Sequence, residues 1–532
     1  MPLPPEGKTK WPPESMKAAQ ELYHINGTWY GGDPDRLASL YGNTSPWDRV
    51  DTRYRAMQFR GGVVGRVARW FWGVPPADGE LRAKLHLPVA SDIAGMSANL
   101  LFAEPPKLKV EDQATQERLD TLTVDMSLQA TLLEGGEVDA ALGDVYLVPS
   151  WDTEIRDHPW LRVVHGDAVV PEWKGRYLKA ATVWAVVHDD AGDVWRHLER
   201  YEMAGGECVI FHGLFKGDSS TIGWSKPLDA MPATEGLDEV VRTGVKRLLV
   251  EHVPNLRPNR LDRGSPLGRS VYSPGALSLM DELDEVWSSF ARDFRLAKAR
   301  AVITEDALRS QGPGQGAIFD DRELLLPLRL PPNPQQGAKP LELIQPMIRV
   351  QDHLTGARAL TEEIIRTCGF SVQSFGLGGV DGAPQATATE IQQRQAQSYL
   401  TRGMQTLFWG AGIARSIQSL LEIDAEVFKS KITPQRPDVE FGDTVAESDA
   451  TTAQTANLWR QANAASTETI IRLVHPEWDD ERVEKEKQAI LAEDGSNVPD
   501  PFATAHADHG VPTDLTPADG QDANAPQPIP GR

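Results

Sequence analysis

GALSLMDELDEVWSSFARDFRLAKA, residues 275–299, and MIRVQDHLTGARALTEEIIRTCG, residues 347–369, decide how this chain is built. In the first, apolar side chains fall at Leu277, Met280, Leu283, Trp287, Phe290, Phe294 and Ala297, in steps of three and four that mark one face of an α-helix. In the second, Met347, Val350, Leu354, Ala357, Ile364 and Cys368 keep the same spacing, with Thr361 the one polar interruption. At 1.5 Å per residue, Ala276–Ala299 reaches about 36 Å and Met347–Cys368 about 33 Å. Two helices of matched length predict a hairpin that packs through Leu283, Trp287, Phe290, Phe294, Leu354 and Ile364. It carries Arg300–Gln345 at its far tip. That tip is rich in Pro and Gly and holds three strand-like runs, at Ala301–Ile303, Leu324–Leu326 and Leu341–Ile344. Periodicity alone fits an ordinary helical hairpin in a core equally well.

With 532 residues, the chain has room for two to four domains. Its 54 Lys and Arg against 76 Asp and Glu leave a formal charge of −22. This argues against a protein whose main work is gripping nucleic acid, although a basic stripe on an acidic body stays open. Cys208 and Cys368 lie far apart, match no metal-ligand spacing and carry no local disulfide signature, so a reducing compartment is expected. The first residues lack a signal segment, and no run approaches 18 apolar residues, so no membrane span is expected. Fifteen Trp point to large buried or intersubunit surfaces.

Residues 1–15 are Pro-rich and read as mobile, with Ser15 a candidate cap for a first helix through Tyr23. Asn26–Trp47 reads as an arm that orders against a neighbour. Leu85–Phe102 predicts a short strand, then a helix with Ser91 as N-cap and Asp92 in its first turn. A strand is expected over Lys107–Val110, a helix over Leu119–Ala140 and a strand from Val145. From there to Leu228 the pattern is β-rich, with hairpin signals at 189–193 and 204–206, and it predicts an antiparallel sheet. Asp238–Leu249 reads as helical. Phe375–Ala386 is Gly-rich and leads into a long helix with Thr387 and Glu390 as a capping box. Helices are expected over 450–462, 466–473 and 479–493, and Asn497–Arg532 reads as disordered.

Catalytic signatures are missing. There is no phosphate loop, Rossmann fingerprint, Gly-x-Ser-x-Gly elbow, His-Glu-x-x-His or Cys-x-x-Cys. His188, Asp189, Asp190 and Asp193 crowd one turn, but they satisfy no ligand spacing, and Asp suits the turn for its own geometry. We expect no enzymatic activity, no metal and no cofactor.

Several local patterns come in a recognisable order. They are Gly143-Asp144-Val145-Tyr146-Leu147 with Trp151-Asp152 and Pro171-Glu172; Trp195-Arg196-His197-Leu198-Glu199 with Ile210–Gly217; and Gly268-Arg269-Ser270 before Leu279-Met280-Asp281-Glu282-Leu283. Thr387-Ala388-Thr389-Glu390-Ile391 follows a Gly-rich loop, and Ser466-Thr467-Glu468-Thr469 precedes an acidic helix. Over about residues 80–495 the chain resembles the portal, or head-to-tail connector, proteins of tailed bacteriophages, in the Gp6-like branch of long-tailed phages.

The resemblance implies an α+β, portal-like multidomain fold that assembles, about twelve copies together, into a ring around a DNA channel. It divides the chain into an N-terminal arm (1–79), a wing (80–274), stem helices (275–299 and 346–369), a clip (300–345), a tunnel loop (370–386), a long wing helix (387–425), a crown (426–495) and a tail (496–532). The channel-facing tunnel loop would be Phe375, Gly376, Leu377, Gly378, Gly379, Val380, Asp381 and Gly382. Arg292, Arg295, Lys298, Arg349 and Arg358, with Arg300 and Arg366, are candidate cations along the bore. The alternative use of these cations is intersubunit ion pairing with Asp281, Glu282, Asp284, Glu285, Glu362 and Glu363, or contact with the capsid. Implied partners are double-stranded DNA, the terminase large subunit, the head–tail connector or adaptor, the major capsid protein and the scaffolding protein, with no membrane. The implied location is a capsid vertex of the virion, after assembly in the host cytoplasm. The competing expectation is a minor head or scaffold-associated virion protein without a channel.

Overall fold

The computed structural model describes residues 3–41, 85–190, 192–296, 300–304, 325–328, 341–344, 349–377, 388–442, 449–462, 464–475, 478 and 480–493. The chain divides into two compact units, Met1–Thr444 and Val445–Arg532.

The N-terminus departs from expectation. Strand β1 (Gly7–Lys10) pairs antiparallel with residues 221–223, and Trp11 is buried edge-on against Trp184, so residues 3–15 are held rather than mobile. A 3-10 turn over Glu14–Met16 feeds α1 (Lys17–Gly31). Pro13 stands at the cap position of that turn and Ser15 lies inside it, so Ser15 caps nothing. Gly32, at φ +62°, ends α1 in the left-handed conformation that glycine adopts without strain, and α2 (Pro34–Tyr41) follows. Trp29 and Leu37 are fully buried, so residues 26–41 belong to the core and are not an arm. Residues 42–47 lie outside the described part.

Residues 85–88 form no strand. Their N–H groups turn instead to the first long helix of the pair, Leu85 donating to Ser288 Oγ and Leu87 to Asp284 Oδ1. Helix α3 (Val89–Phe102) therefore starts behind Pro88, and Ser91 sits inside its first turn with its hydroxyl donating to the Pro88 carbonyl. After β2 (Lys107–Lys109), the single helix expected over 119–140 is two, α4 (Gln113–Asp125) and α5 (Leu128–Leu142). Ser127, left-handed at φ 52°, breaks them apart. The break lets Leu119 and Leu122 of α4 share one core with Leu128 and Leu132 of α5. Gly135 and Gly136 permit close packing, because a side-chain carbon there would press on Val163, Trp409 and the Phe102 ring.

Strands β3 (Asp144–Ser150) and β4 (Trp160–His165) pair antiparallel. Then β5 (Val169–Lys174), β6 (Tyr177–Asp190), β7 (Asp193–Ala204), β8 (Glu207–Gly217) and β9 (Thr221–Lys226) run as the expected antiparallel meander. The region expected to be helical, 238–249, holds no helix but a short strand and irregular chain. β10 (Val240–Arg242) fills the part of the β8 edge that β9 leaves open, and Cys208 N–H donates to the Val245 carbonyl at 2.7 Å. This gives a seven-stranded sheet, β1-β9-β8-β7-β6-β5 with β10 also on β8. β11 (Glu251–Pro254) joins β3 to make a three-stranded sheet, β11-β3-β4.

Helix α6 (Pro274–Leu296) and helix α7 (Val350–Thr367) pack together, and strands β12 (Arg300–Thr304), β13 (Leu325–Leu328) and β14 (Leu341–Ile344) lie between them in sequence. The long helix α8 (Ala388–Glu426) buries Trp409, Ile413, Ile417, Leu420 and Leu421 in the core shared by α3, α4, α5, β3 and β11. Its proposed cap, Thr387, lies outside the described residues. β15 (Asp438–Glu440) pairs with β2. The second unit holds α9 (Asp449–Gln461), α10 (Thr467–Val474) and α11 (Asp480–Glu493), with Ser466 capping α10 by accepting the Thr469 N–H. No helix of the described residues is long and apolar enough to cross a membrane.

Two measurements test this core. Trp409 is fully buried, stacks edge-on with Phe102 at 4.9 Å and donates its Nε1–H to Asp139 at 3.0 Å. Trp409→Ala should cost about 3–5 kcal/mol. Trp409→Phe, which loses only part of the ring and the donor, should cost less; equal melting of both variants and the parent would overturn the packing. On β7 and β8, His197 Nε2 lies 3.2 Å from His212 Nδ1. Burial first, and then His212, pull His197 down to about 4. The unfolded chain takes up that proton near its ordinary value of about 6.5, before the folded chain does. Stability should therefore fall as pH drops from about 6.5 to about 4, by up to about 3 kcal/mol. His197→Gln should flatten thermal midpoints across that window.

Candidate functional site

The root of the helix pair is set by a buried carboxylate. Asp144, 1% exposed, accepts hydrogen bonds from Tyr23 Oη at 2.8 Å, His252 Nε2 at 2.6 Å and the Gly268 N–H at 2.7 Å. These groups come from α1, β11 and the loop that runs into α6. Burial, and then Asp144, push the Tyr23 hydroxyl well above its usual range. Gly143, at φ +104°, lies against the backbone of Arg269 and Ser270 with no room for a side chain. Gly143-Asp144 and Gly268-Arg269-Ser270, far apart in sequence, are thus one structure.

Above this root, α6 begins with Ser273 accepting the Ala276 N–H. Ala276, Leu277, Met280 and Leu283 are buried against Ala357, Ile364, Ile365 and Cys368 in a core shared with Trp29 and Ile93. Asp284 then holds His86 Nδ1 at 2.8 Å and the Leu87 N–H at 3.0 Å. Burial pushes its carboxyl up, while His86 and the Leu87 N–H pull the other way. One turn on, Trp287, Phe290 and Phe294 form an edge-to-face ladder, and His353 lies tilted on Phe290 at 5.3 Å. His353 Nε2 reaches Asp293 at 2.9 Å and ties α7 to α6. Burial falls along the pair: Leu283 and Ile364 are inside, Trp287 is partly covered, and Phe294 and Leu354 are 49% and 40% exposed. At the tip, β12 pairs parallel with β13 and antiparallel with β14.

At its far end α7 closes in a Schellman turn. Gly369, at φ +91°, donates to Arg366 and Phe370 to Ile365. Ser371, Ser374 and Gly369 are then fastened to α8 by Ser398 Oγ and Thr401 Oγ1. A 3-10 turn (Val372–Phe375) follows, with Gly376 left-handed at φ +69° and Leu377 exposed. Phe375, Gly376 and Leu377 thus end an anchored turn, while Gly378, Gly379, Val380, Asp381 and Gly382 lie outside the described residues. Sequence reading missed these hydroxyl anchors and the two histidine links, because isolated Ser, Thr and His carry no periodic signal.

The candidate cations divide. Arg292 and Arg349 are exposed. Arg358 pairs within its own helix with Glu362 at 2.9 Å, and Arg366 with Glu363. The Arg295 side chain and Lys298 fall outside the described residues. Among the described residues, no group of three His, Cys, Asp or Glu is placed to hold a metal, His188, Asp189, Asp190 and Asp193 included.

Residues 274–500, which contain the helix pair, its tip, the long helix and the second unit's helices, match the family model described as "Phage portal protein, SPP1 Gp6-like". Over this segment, a little under half of the chain, the sequence is similar to the SPP1 Gp6-like phage portal proteins. Among solved structures, a chain of the "Neck of empty GTA particle computed with C6 symmetry" is similar at 12% identity, over 74% of this chain and 91% of that one, with a TM-score of 0.38. No curated protein matches.

Asp284→Ala leaves His86 and the Leu87 N–H without their acceptor. It should lower stability by about 1–3 kcal/mol, whereas Glu362→Ala, which breaks only an exposed i,i+4 pair, should stay within about 0.5 kcal/mol. Thermal melts in parallel decide; an unaltered Asp284→Ala would show that residues 85–88 are not fixed to α6 in this way.

Proposed function

We propose that this chain is a portal subunit, that about twelve copies close into a ring around a DNA channel at one capsid vertex of the virion, and that the ring serves both packaging and ejection of DNA. The observation that carries this reading is the gradient along α6 and α7. Their root is locked into a core, while Phe294 and Leu354 near the tip stay wet. A two-helix arm cannot cover its own second face. Neighbouring arms in a closed, head-to-tail ring would cover it, at roughly 1.5–3 kcal/mol for each large side chain fully buried. The match of residues 274–500 to the portal family model supports the reading.

In this ring α6 and α7 are the stem, β12, β13 and β14 the clip, α8 the long wing helix and α9, α10 and α11 part of the crown. The clip docks the terminase motor and later the head–tail connector, and the outer faces meet major capsid and scaffolding proteins. The loop from Phe375 through Gly382 is the constriction, with its near end fastened to α8 through Ser398. The surplus of acid suits a bore that passes a duplex without holding it, with the exposed Arg349 as a steering charge.

Native mass spectrometry of the purified chain, with images of the same sample, tests this. Twelve subunits of 58.5 kDa give a ring of about 702 kDa. Phe294→Ser with Leu354→Ser should shift mass from ring toward monomer while lowering the melting temperature of the monomer only slightly, since about half of each side chain is already exposed. A monomer that persists even on co-expression with scaffolding and capsid proteins would overturn the ring in favour of a minor head protein.

A further inference from the structure

We propose that the cleft between α1, the 259–273 loop and the first turn of α6 is a docking site for a short acidic and aliphatic peptide segment of another protein. The loop from Leu256 to Ser273 carries Arg257, Arg260, Arg263 and Arg269 against a single acid, Asp262, in a chain of net charge −22. Asp262 is occupied locally, its Oδ1 accepting the Gly264 N–H at 3.1 Å. Among the described residues, no carboxylate stands within ion-pair distance of Arg260, Arg263 or Arg269, and the buried Nε of Arg269 has no hydrogen-bond partner. Burial, and then the charge of Arg260, pull the Arg269 guanidinium below its usual range, as expected for a cation with no counter-ion beside it.

Arg260 and Arg269 both line a cleft of about 160 Å³ whose walls include Leu22, Ile25, Leu142 and Leu277. Asp144 lies at its floor, but Tyr23, His252 and Gly268 take up its oxygens. The volume accepts an aliphatic side chain and excludes a base pair, and carbon walls do not complement a sugar–phosphate backbone. The fitting ligand is therefore peptide. Its carboxylate would bridge Arg260 and Arg269, while a neighbouring Leu or Ile side chain enters among Leu22, Ile25 and Leu277. The site stands whether or not the chain forms a ring.

Fluorescence anisotropy on the full chain tests it, with labelled short peptides that hold one Leu and two Glu at varied spacing, and matched peptides with Lys in place of Glu. At least one acidic peptide should bind saturably and no Lys peptide should. Arg260→Glu, an exposed change that should leave thermal melting unaltered, should weaken that binding about tenfold or more, and Arg260→Lys with Arg269→Lys should retain most of it. Absence of binding by every acidic peptide would overturn the proposal, as would binding indifferent to Arg260→Glu. Tighter binding of a short DNA duplex, lost on the same substitution, would make the site one for nucleic acid instead.

Discussion

The three hydrogen bonds to Asp144 are what the rest of the larger unit depends on. A carboxylate at 1% exposure is costly unless its oxygens are filled, and here they are filled from three places far apart in sequence. Tyr23 fixes α1, His252 fixes β11, and the Gly268 N–H fixes the loop that becomes α6. The glycine before the aspartate completes the arrangement. Gly143 permits backbone-to-backbone approach to Arg269 and Ser270 that any side chain would prevent. The direction in which the helix pair leaves the core is thus set by a polar hub, which demands directional partners, acting with the apolar packing of Ala276, Leu277, Met280 and Leu283.

A second polar layer fixes the long helix. Gln405 donates to Ser97 at 2.9 Å and to Asn255 at 2.6 Å, and Asn255 in turn donates to the Arg269 carbonyl at 3.1 Å. Trp409, one turn on, donates to Asp139, whose carboxyl is pushed well above the usual range by burial and by the neighbouring Asp144. Such a network adds little net stability. It penalises every register of α8 that would leave one of these groups unpaired. In the proposed ring, a base held in one register would present the exposed Phe294 and Leu354 to neighbouring arms in one orientation.

The parts legible in the sequence are those with a period. The α6 and α7 stripes, the meander from β5 to β9 and the helices of the second unit all follow from spacing and turn residues. Boundaries shifted by a few residues where capping chemistry intervened, as at Pro88 and Pro13. The failures share a cause. Residues 26–41 are locally polar, and only the tertiary burial of Trp29 and Leu37 reveals them as core. Val240–Arg242 reads as helix until the open edge of β8 is known. The 119–140 run keeps one helical period across Ser127, whose left-handed turn has no signature in composition. Of the residues named for packing, Leu283 and Ile364 are buried while Phe294 and Leu354 are exposed, and the links His86–Asp284 and His353–Asp293 left no trace in the sequence, since each joins residues that only the fold brings together.

Charge completes the argument. In the proposed ring a strongly cationic bore would hold a duplex, and the sequence alone could not say whether the stem arginines make one. Two of them do not act as bare cations, because Arg358 and Arg366 pair with Glu362 and Glu363 on their own helix. Exposed pairs of this kind add little to stability, so stability is not their main consequence. They turn what reads as a basic helix face into alternating charge, whose field fades within about 8–10 Å at physiological salt. DNA passing such a surface would meet weak, closely spaced attractions and repulsions rather than a continuous grip. If these faces line the bore of the proposed ring, the spacing of three and four residues that pairs Arg358 with Glu362 and Arg366 with Glu363 would serve a conduit better than bare cations would.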